Sequence, residues 1–245
     1  MGLAGLLLLA DSRLPAGGHG HSGGVEALVD RGLLTSVADL ALFLDARIRT
    51  AGLVAASFTA AAAALSTATA PTPASGELGD SPIRHSRGWA AWDAGLDVRT
   101  PSAALRAASR AQGGALLRTS GRAWPANPAL RELAVLRRPH QPLVLGAAAT
   151  AAGASPAQAA ALALHHLCGG AASAAVRLLG LDPLAAAGAQ ASLAPLADRV
   201  AGEATEAAVH AVAADDPDLL PADATPLPEI LAELHHASEV TLFAS

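Results

Sequence analysis

The residues best suited to metal chemistry are His19 and His21, which stand two positions apart in a glycine-rich stretch. In an extended chain, residues two apart lie on the same side, so both imidazoles could bind one soft divalent ion such as nickel or zinc. Two ligands do not complete a site, and Asp11 and Glu26 are the nearest acids. We therefore expect no stably bound metal. His19 and His21 remain candidate metal ligands, with interface histidines as the alternative.

The other histidines and the single cysteine offer less chemistry. His165–His166 and His235–His236 fall in predicted helices, where adjacent side chains point about 100° apart and cannot chelate one ion together. Cys168 follows His165 by one helical turn, but a lone helical cysteine is most often a small buried hydrophobe. The motifs His-Glu-x-x-His, Gly-x-Ser-x-Gly and Cys-x-x-Cys are absent from the sequence. The sequence thus predicts no catalytic residues and no enzyme.

Residues 10–26, which we call the glycine segment, are the least regular part of the chain. Five of the eight residues from Gly17 to Gly24 are glycine. Such a run persists where the backbone passes close to another group or adopts positive φ. A P-loop is excluded because the chain contains no lysine, and a dinucleotide-binding turn is excluded because no β-branched strand precedes the glycines. The remaining explanation for the glycines is that the backbone passes close to another segment, a partner or an anion.

The charge balance limits the partners. All sixteen basic residues are arginine, 21 residues are acidic and the formal net charge is −5, so the sequence lacks the electrostatic footprint of a nucleic-acid-binding protein. Arg137–Arg138 and Arg177 could bind a phosphate or a partner carboxylate, although single arginines are more often surface salt-bridge residues. We expect protein partners and no nucleic acid.

Targeting signals are weak. Residues 3–10 are apolar, but no basic residue precedes them and they fall short of the roughly 20 residues that span a membrane. They predict a helix that packs into the core. The single cysteine, Cys168, excludes an intramolecular disulfide and fits a reducing compartment. We expect a cytoplasmic protein without membrane contact.

The composition predicts an all-α fold. Alanine and leucine dominate the apolar residues and aromatic residues make up 2%, which favours helices over sheets. We expect a single domain, residues 1–245, built as one helical bundle of roughly eight to ten helices, with a flexible linker at 71–82. Periodicity and capping signals predict helices at 3–10, 23–32, 37–70, around Trp89 and Trp92, from Thr100–Pro101 to 118, and at 143–152, 156–179, 183–213 (interrupted or bent near Pro195) and 229–239.

Five stretches, taken in order, carry a family resemblance. The first ends in Pro-Ala-Gly-Gly-His-Gly-His-Ser-Gly-Gly-Val-Glu at 15–26. The others are Ser-Arg-Ala-Gln-Gly-Gly-Ala-Leu-Leu-Arg at 109–118, Pro-His-Gln-Pro-Leu-Val-Leu-Gly at 139–146, Ala-Ala-Val-Arg-Leu at 174–178 and Leu-Phe-Ala-Ser at 242–245. Together they resemble the urease accessory protein UreF family over nearly the whole chain apart from 71–98.

The resemblance implies a non-catalytic helical scaffold. In that family a homodimer binds the accessory protein UreD, also called UreH, and recruits the GTPase UreG. The assembly delivers nickel to apo-urease, so nickel would be in transit and not a stably bound cofactor. The residues that match the family's partner-binding positions are Pro15, Gly17, Gly18, His21, Ser22, Gly24, Glu26, Arg177, Leu242, Phe243 and Ser245.

Two positions depart from the family's pattern. The loop aromatic is His19 here, and the tail arginine associated with recruitment of the GTPase is Thr241. We expect the contact of that arginine to be lost or moved. The function we expect is that of a urease maturation scaffold. The alternatives are a nickel-binding metallochaperone that uses His19 and His21, and a helical interaction module with an unrelated partner.

Overall fold

The computed structural model describes residues 3–18, 21–68 and 88–236. Within these residues all regular structure is helical and no β-strand is present, which confirms the predicted all-α bundle. The α-helices are α1 (Leu3–Ala10), α2 (Val25–Val29), α3 (Val37–Arg47), α4 (Leu53–Ala68), α5 (Gly88–Val98), α6 (Ala103–Ala123), α7 (Pro128–Leu133), α8 (Gln141–Ala151), α9 (Pro156–Leu179), α10 (Pro183–Ala213) and α11 (Pro226–His236). The linker predicted at 71–82 lies outside the described residues.

Side-chain caps begin several helices as the sequence predicts. Ser36 Oγ accepts a hydrogen bond from the Asp39 amide at 3.2 Å and starts α3. Ser155 and Gln158 form the reciprocal capping box of α9. Asp182 accepts from the Leu184 amide and starts α10. α1 and α9 match their predicted bounds, and α10 continues without interruption past the proline that it contains.

The predicted start of α6 at Thr100–Pro101 is wrong. The N-cap is Ser102, whose Oγ accepts from the Leu105 amide at 3.1 Å. The Ser102 hydroxyl also donates to Glu233 on α11 at 2.6 Å, so a contact with a distant helix reinforces this cap. A partner 131 residues away leaves no local signal in the sequence.

Prolines in first turns explain three further differences. α8 begins at Gln141 and α11 at Pro226, in both cases before the predicted start, and α7 begins at Pro128 where no helix was predicted. A proline in the first turn loses no intrahelical hydrogen bond, so a helix can include it. α2 is shorter than predicted, because Gly24 has φ of 93° and stands outside the helix. The predicted end of the last helix at 239 lies outside the described residues.

The helix predicted at 37–70 contains a π-helical turn. This turn, Ile48–Gly52, joins α3 to α4, so the two form one continuous helix. A π turn is rare and often lies at a functional site. An added Cβ on Gly52 would lie 2.7 Å from the Arg47 carbonyl oxygen and 3.0 Å from Leu164 Cδ2. Only glycine therefore fits between the turn and α9.

α4 is the central helix of the bundle and packs against α8, α9 and α10. Ala60, Ala61, Ala62 and Ala63 are fully buried. An added Cβ on Gly146 of α8 would overlap the Thr59 carbonyl oxygen. The alanine-rich composition thus allows the backbones of α4 and α8 to pack closely, as ridges of small side chains permit.

Two apolar clusters stabilise the described bundle. The main cluster surrounds α4 and α8 and includes Phe58, Trp92 and Leu143. The second cluster lies between α2, α3 and α9 and includes Leu40 and Leu44. Residues of both clusters contact Cys168, which confirms that this cysteine packs as a hydrophobe.

α1 packs into the core only in part. Leu9 is buried, while Leu3, Leu7 and Leu8 are 68%, 58% and 46% exposed. The helix contacts α8 and α9 along one side only. The sequence correctly predicts its bounds but not this exposure, because nearly every residue of the helix is apolar and no polar side distinguishes the outer face.

Two helices are long and apolar enough to cross a membrane by length and composition. They are Val37–Ala68 and Pro156–Leu179, and their most apolar windows are 72% and 56% buried inside the bundle. Core helices of globular proteins meet the same criterion, so these two give little support to a membrane protein.

Candidate functional site: a cleft beside the glycine segment

The glycine segment depends on glycines with positive φ. Gly17, Gly23 and Gly24 have φ of 81°, 62° and 93°, which side chains rarely tolerate. Gly17 also lies against α6, where an added Cβ would be 3.2 Å from the Ala115 Cβ. Gly18 differs, since its φ is not positive and an added Cβ would meet nothing within 4 Å. The fold therefore requires glycine at the first three positions, whereas Gly18 leaves a free surface.

Side chains from three helices fix the position of the glycine segment and of Leu9, the residue that precedes it. The Thr119 hydroxyl of α6 donates to the Pro15 carbonyl at 2.8 Å. Arg47 Nη1 of α3 donates to the Gly23 carbonyl at 3.1 Å. His166 Nε2 of α9 donates to the Leu9 carbonyl at 2.9 Å. The course of this irregular backbone is thus set by long-range side-chain contacts.

Ser22 and Glu26 face inward. They are 1% and 4% exposed, and the Ser22 Oγ accepts from the Glu26 amide at 3.3 Å. The Glu26 carboxylate lies 3.1 Å from His235 Nε2 on α11, and both side chains are buried. In this conformation Glu26 links α2 to α11.

A cleft of about 630 Å³ opens beside the glycine segment. Its walls come from the segment itself, α3, α6, α9 and the stretch before α11. The lining includes Gly18, His21 and Gly23, Phe43 and Arg47, Ser109 and Gln112, His165 and Arg177, and Thr225 and Glu229. The volume falls within the range of about 300–1,000 Å³ that is usual for ligand pockets.

Arg47 is a half-buried cation on the wall of the cleft. Its guanidinium lies over the Phe43 ring, 5.7 Å from the centroid, in a cation–π contact. The Nε atom is buried and has no hydrogen-bond partner among the described residues. Burial lowers the pKa of the guanidinium, and the carboxylate of Glu229 opposes this shift. One wall of the cleft therefore carries a partly desolvated positive charge.

His165 and His166 occupy the α9 wall. Their ring centroids are 5.9 Å apart and the planes are inclined at 52°, so the rings diverge as expected of neighbours on a helix. Burial lowers the pKa of His166, although its hydrogen bond to the Leu9 carbonyl acts in the opposite direction. This bond also assigns the proton to Nε2. His166 is therefore a neutral structural contact near neutral pH.

A buried polar network lies behind Ser109. His140 is 1% exposed, and its Nδ1 lies 2.9 Å from Ser109 Oγ while its Nε2 lies 3.0 Å from Asp97 Oδ1. Arg110 donates to Asp97 at 2.6 Å and to Asp93 at 2.8 Å. The network joins α5, α6 and the start of α8.

Serine, histidine and aspartate occur here in the order of a hydrolase triad, but their contacts are structural. Ser109 Oγ also accepts from the Gln141 amide at 3.3 Å, so it caps the first turn of α8. Asp97 is already paired with Arg110. Burial lowers the pKa of His140, against the hydrogen bond to Asp97. The main effect of this arrangement is to position α8.

Metal-binding residues do not converge in the part of the chain that is described. No group of three or more His, Cys, Asp or Glu side chains with metal-binding geometry occurs there. Burial raises the pKa of the Cys168 thiol to about 11, so the thiolate that a metal requires is disfavoured near neutral pH. His21 is on the cleft wall, and residue 19 lies outside the described residues.

The predicted partner-binding residues divide into three groups. Gly18, His21 and Arg177 line the cleft. Ser22 and Glu26 are buried, and Pro15, Gly17 and Gly24 shape the backbone. Leu242, Phe243 and Ser245 lie outside the described residues, as do His19 and Thr241, the two positions that depart from the family's pattern. Their roles in partner binding stay predictions.

Sequence reasoning missed Arg47, His235 and Glu229 as parts of this site. Arg47 belongs to the helix predicted at 37–70 and matches no motif, and the pair His235–His236 carries no ligand pattern. The partners of these side chains lie far away in the chain, at Gly23, Glu26 and Ser102. The one sequence signal for these three side chains is that each is a polar residue on the apolar side of its helix.

The fold and the cleft define a class of protein, an all-helical bundle whose described part contains a wide cleft. Comparison with known proteins identifies the family within this class. The sequence profile of the UreF family matches residues 34–194. The chain is 43% identical over 244 residues to the urease accessory protein UreF of Mycobacterium sp. (strain JLS), with 99% of both chains covered. It is 42% identical to that of Mycolicibacterium vanbaalenii and 37% identical to that of Mycobacterium tuberculosis, each over 243 residues and 99% of both chains.

This chain belongs to the UreF family of urease accessory proteins. Both the profile match and the full-length identities support this assignment, and they confirm the resemblance found in the sequence motifs. Membership implies a role, and partners, in urease maturation.

Proposed function

We propose that this chain is a non-catalytic scaffold of urease maturation. It acts as a homodimer in the cytoplasm, binds UreD (UreH) and recruits the GTPase UreG, so that nickel is inserted into apo-urease. The observation that carries the proposal is the similarity to UreF proteins over 99% of both chains. A match over 99% of both chains favours the same assembly role.

Features of the cleft support a scaffold role over catalysis. The polar side chains around it mainly tie helices together: Arg47 to the glycine segment, Glu26 to α11 and Ser109 to α8. Gly18 and His21 contribute to the open wall, where a partner can approach the backbone. Nickel is cargo in this proposal, carried through the assembly and not held by a resident site.

The test is a deletion of this chain in its own cell, followed by measurement of urease activity and of nickel per urease active site. Activity and nickel content are expected to fall together and to return when the wild-type chain is supplied. UreG and UreD should co-purify with the tagged chain. Unchanged urease activation in the deletion strain would contradict the proposal.

A direct metallochaperone is the second candidate, because His21 and two further histidines line the same cleft. Equilibrium dialysis against nickel distinguishes it from the scaffold. Tight stoichiometric binding that disappears in the variant His19→Ala/His21→Ala favours a metallochaperone. Binding that is weak, or unchanged in this variant, favours the scaffold.

A further inference from the structure

The chain is strongly polarised in charge. Residues 99–138 contain eight arginines and one acid, Glu132, for a formal charge of +7. The rest of the chain contains eight arginines and twenty acids, for a formal charge of −12. The overall value of −5 therefore conceals a basic region formed by α6, α7 and the turn that follows α7.

The exposed arginines of these adjoining elements are Arg118, Arg122, Arg131, Arg137 and Arg138, and we call them together the basic face. Arg118 and Arg122 are one turn apart on α6. The Arg118 guanidinium lies back along the same helix, 3.7 Å from where a Cβ on Gly114 would be. The Arg138 carbonyl accepts from Arg110 Nη1 at 2.6 Å, which places the turn after α7 alongside α6.

The charges of the basic face are not neutralised within the described chain. Arg118, Arg122, Arg137 and Arg138 are exposed, and none of the four forms a salt bridge with a described residue. Arg110, about two turns before Arg118 on α6, differs because Asp93 and Asp97 pair with it. Exposed arginines without internal partners give this region a net positive charge, which attracts an acidic partner.

An apolar groove opens beside Arg131. It has a volume of about 130 Å³ and lies between the end of α6 and α7, with Leu117, Trp124, Leu130, Ala134 and Arg131 in its lining. The groove is much smaller than small-molecule sites of about 300–1,000 Å³. A half-buried tryptophan with an arginine rim is the composition that protein interfaces favour.

We propose that the basic face is a docking surface for an acidic protein partner that inserts one apolar side chain into the groove beside Trp124. The inference rests on the proposed function, since the partner is then one of the proteins of urease maturation. Charge complementarity selects an acidic surface. The groove is large enough for a single side chain only. The formal charge of −12 on the rest of the chain repels nucleic acid and disfavours wrapping by a long one.

The test compares the wild type with the charge-reversed variant Arg118→Glu/Arg122→Glu/Arg137→Glu. The matched control is Arg31→Glu/Arg49→Glu/Arg199→Glu, which changes the net charge equally at exposed arginines elsewhere. Affinities for purified UreG, UreD and apo-urease are measured for each chain. At least one of the three should bind the charge-reversed variant about ten-fold or more weakly, mainly through a slower association rate, and bind the control like the wild type.

Salt dependence of the wild type gives a second measurement that needs no variant. The same interaction should weaken steeply as ionic strength rises from about 0.01 M to about 0.15 M, because the Debye length falls from roughly 30 Å to roughly 8 Å. Equal affinities of all three partners for the wild type and the charge-reversed variant would overturn the docking surface and leave the proposed function intact. A wild type that binds none of the three would overturn both.

Nucleic acid is the competing occupant. A DNA duplex that binds the wild type but not the charge-reversed variant, with all protein affinities unchanged, would overturn the proposal and assign the basic face to nucleic acid. Absence of DNA binding together with loss of one protein interaction would support the acidic protein partner.

Discussion

His235 on α11 and Glu26 on α2 meet in the interior, with Nε2 and Oε2 3.1 Å apart and side chains 3% and 5% exposed. A different face of α11 provides Glu229 and Glu233, which accept from the backbone amides of Ser102 and Ala104 at the start of α6. The last described helix is therefore held by polar contacts at both the glycine segment and α6. Buried contacts of this kind specify one packing arrangement because their disruption leaves a polar group without solvent.

Removal of the Glu26 carboxylate should destabilise the fold. Glu26→Ala leaves His235 buried without this partner, and we expect the free energy of unfolding to fall by about 3 kcal/mol. Glu26→Gln keeps an acceptor and should lose about 1 kcal/mol. Urea denaturation measures both. The exposed Glu206→Ala on α10 is the control, and its effect should stay within about 0.5 kcal/mol. A Glu26→Ala variant as stable as this control would refute the structural role.

Stability should decline in mild acid because of His140. Burial lowers the pKa of this histidine below its usual value of about 6.5, so the unfolded chain takes up the proton first and acid favours unfolding. His166 acts in the same direction. Between about pH 6.5 and pH 5, the unfolding free energy should fall less in His140→Gln than in the wild type. Urea titrations at both pH values measure this, and His210→Gln on the surface of α10 should retain the wild-type slope.

Asp97 should contribute at still lower pH. Its burial raises the pKa, but the hydrogen bonds from His140 and Arg110 outweigh this effect and lower the pKa overall. Its contribution to stability is present above the unfolded pKa of about 3.9 and is lost as the pH falls towards the folded value. Asp97→Asn should therefore flatten the stability profile below about pH 4. An unchanged profile in that range would contradict the assignment.

A methyl group at Gly113 should disrupt the junction of α6 and α8. An added Cβ there would overlap the Pro139 carbonyl oxygen, so Gly113→Ala forces the two segments apart and should cost about 3 kcal/mol. Gly202 on α10 has no neighbour within 4 Å of an added Cβ, and Gly202→Ala should stabilise the helix by roughly 0.5–1 kcal/mol. Thermal unfolding gives the comparison. Shifts of the same sign for both variants would be inconsistent with the close approach.

Substitution at Gly18 should separate binding from folding. Its position is exposed and lines the cleft, so Gly18→Leu should leave the unfolding free energy within about 0.5 kcal/mol of the wild type. The same change at Gly24, with φ of 93°, should cost about 1–2 kcal/mol. If the glycine segment binds a partner, Gly18→Leu should weaken binding of UreD or UreG about ten-fold. The control is Gly188→Leu on α10, which also adds an exposed leucine but should leave partner binding unchanged.

Local features of the fold were predictable, whereas the site was predictable only in outline. The caps at Ser36, Ser155 and Asp182 involve residues two or three positions apart, so the sequence displays each of them completely. The close approach at Gly113 is with residues 139–141 at the start of α8, and a glycine in the sequence does not indicate which segment it contacts.

The cleft itself could not be predicted, because its contacts join distant parts of the chain. Arg47 and Gly23 are 24 residues apart, and Ser102 and Glu229 are 127 residues apart. Helical periodicity tells which side of a helix is apolar, but not which polar residue on that helix will be buried opposite a partner. Glu26 illustrates the limit, since a glutamate beside an irregular loop gave no sign that a histidine from the last helix would cover it.

The π turn at Ile48–Gly52 adds one residue to a helical turn, which rotates everything after it by about 100°. Leu40 and Leu44 before the turn pack in the second cluster, while Val54 and Phe58 after it pack in the main cluster. A single uninterrupted helix therefore serves two cores whose directions differ. A lineage that lost one residue here would keep the helix and its hydrophobicity, yet would turn the α4 half towards the wrong neighbours.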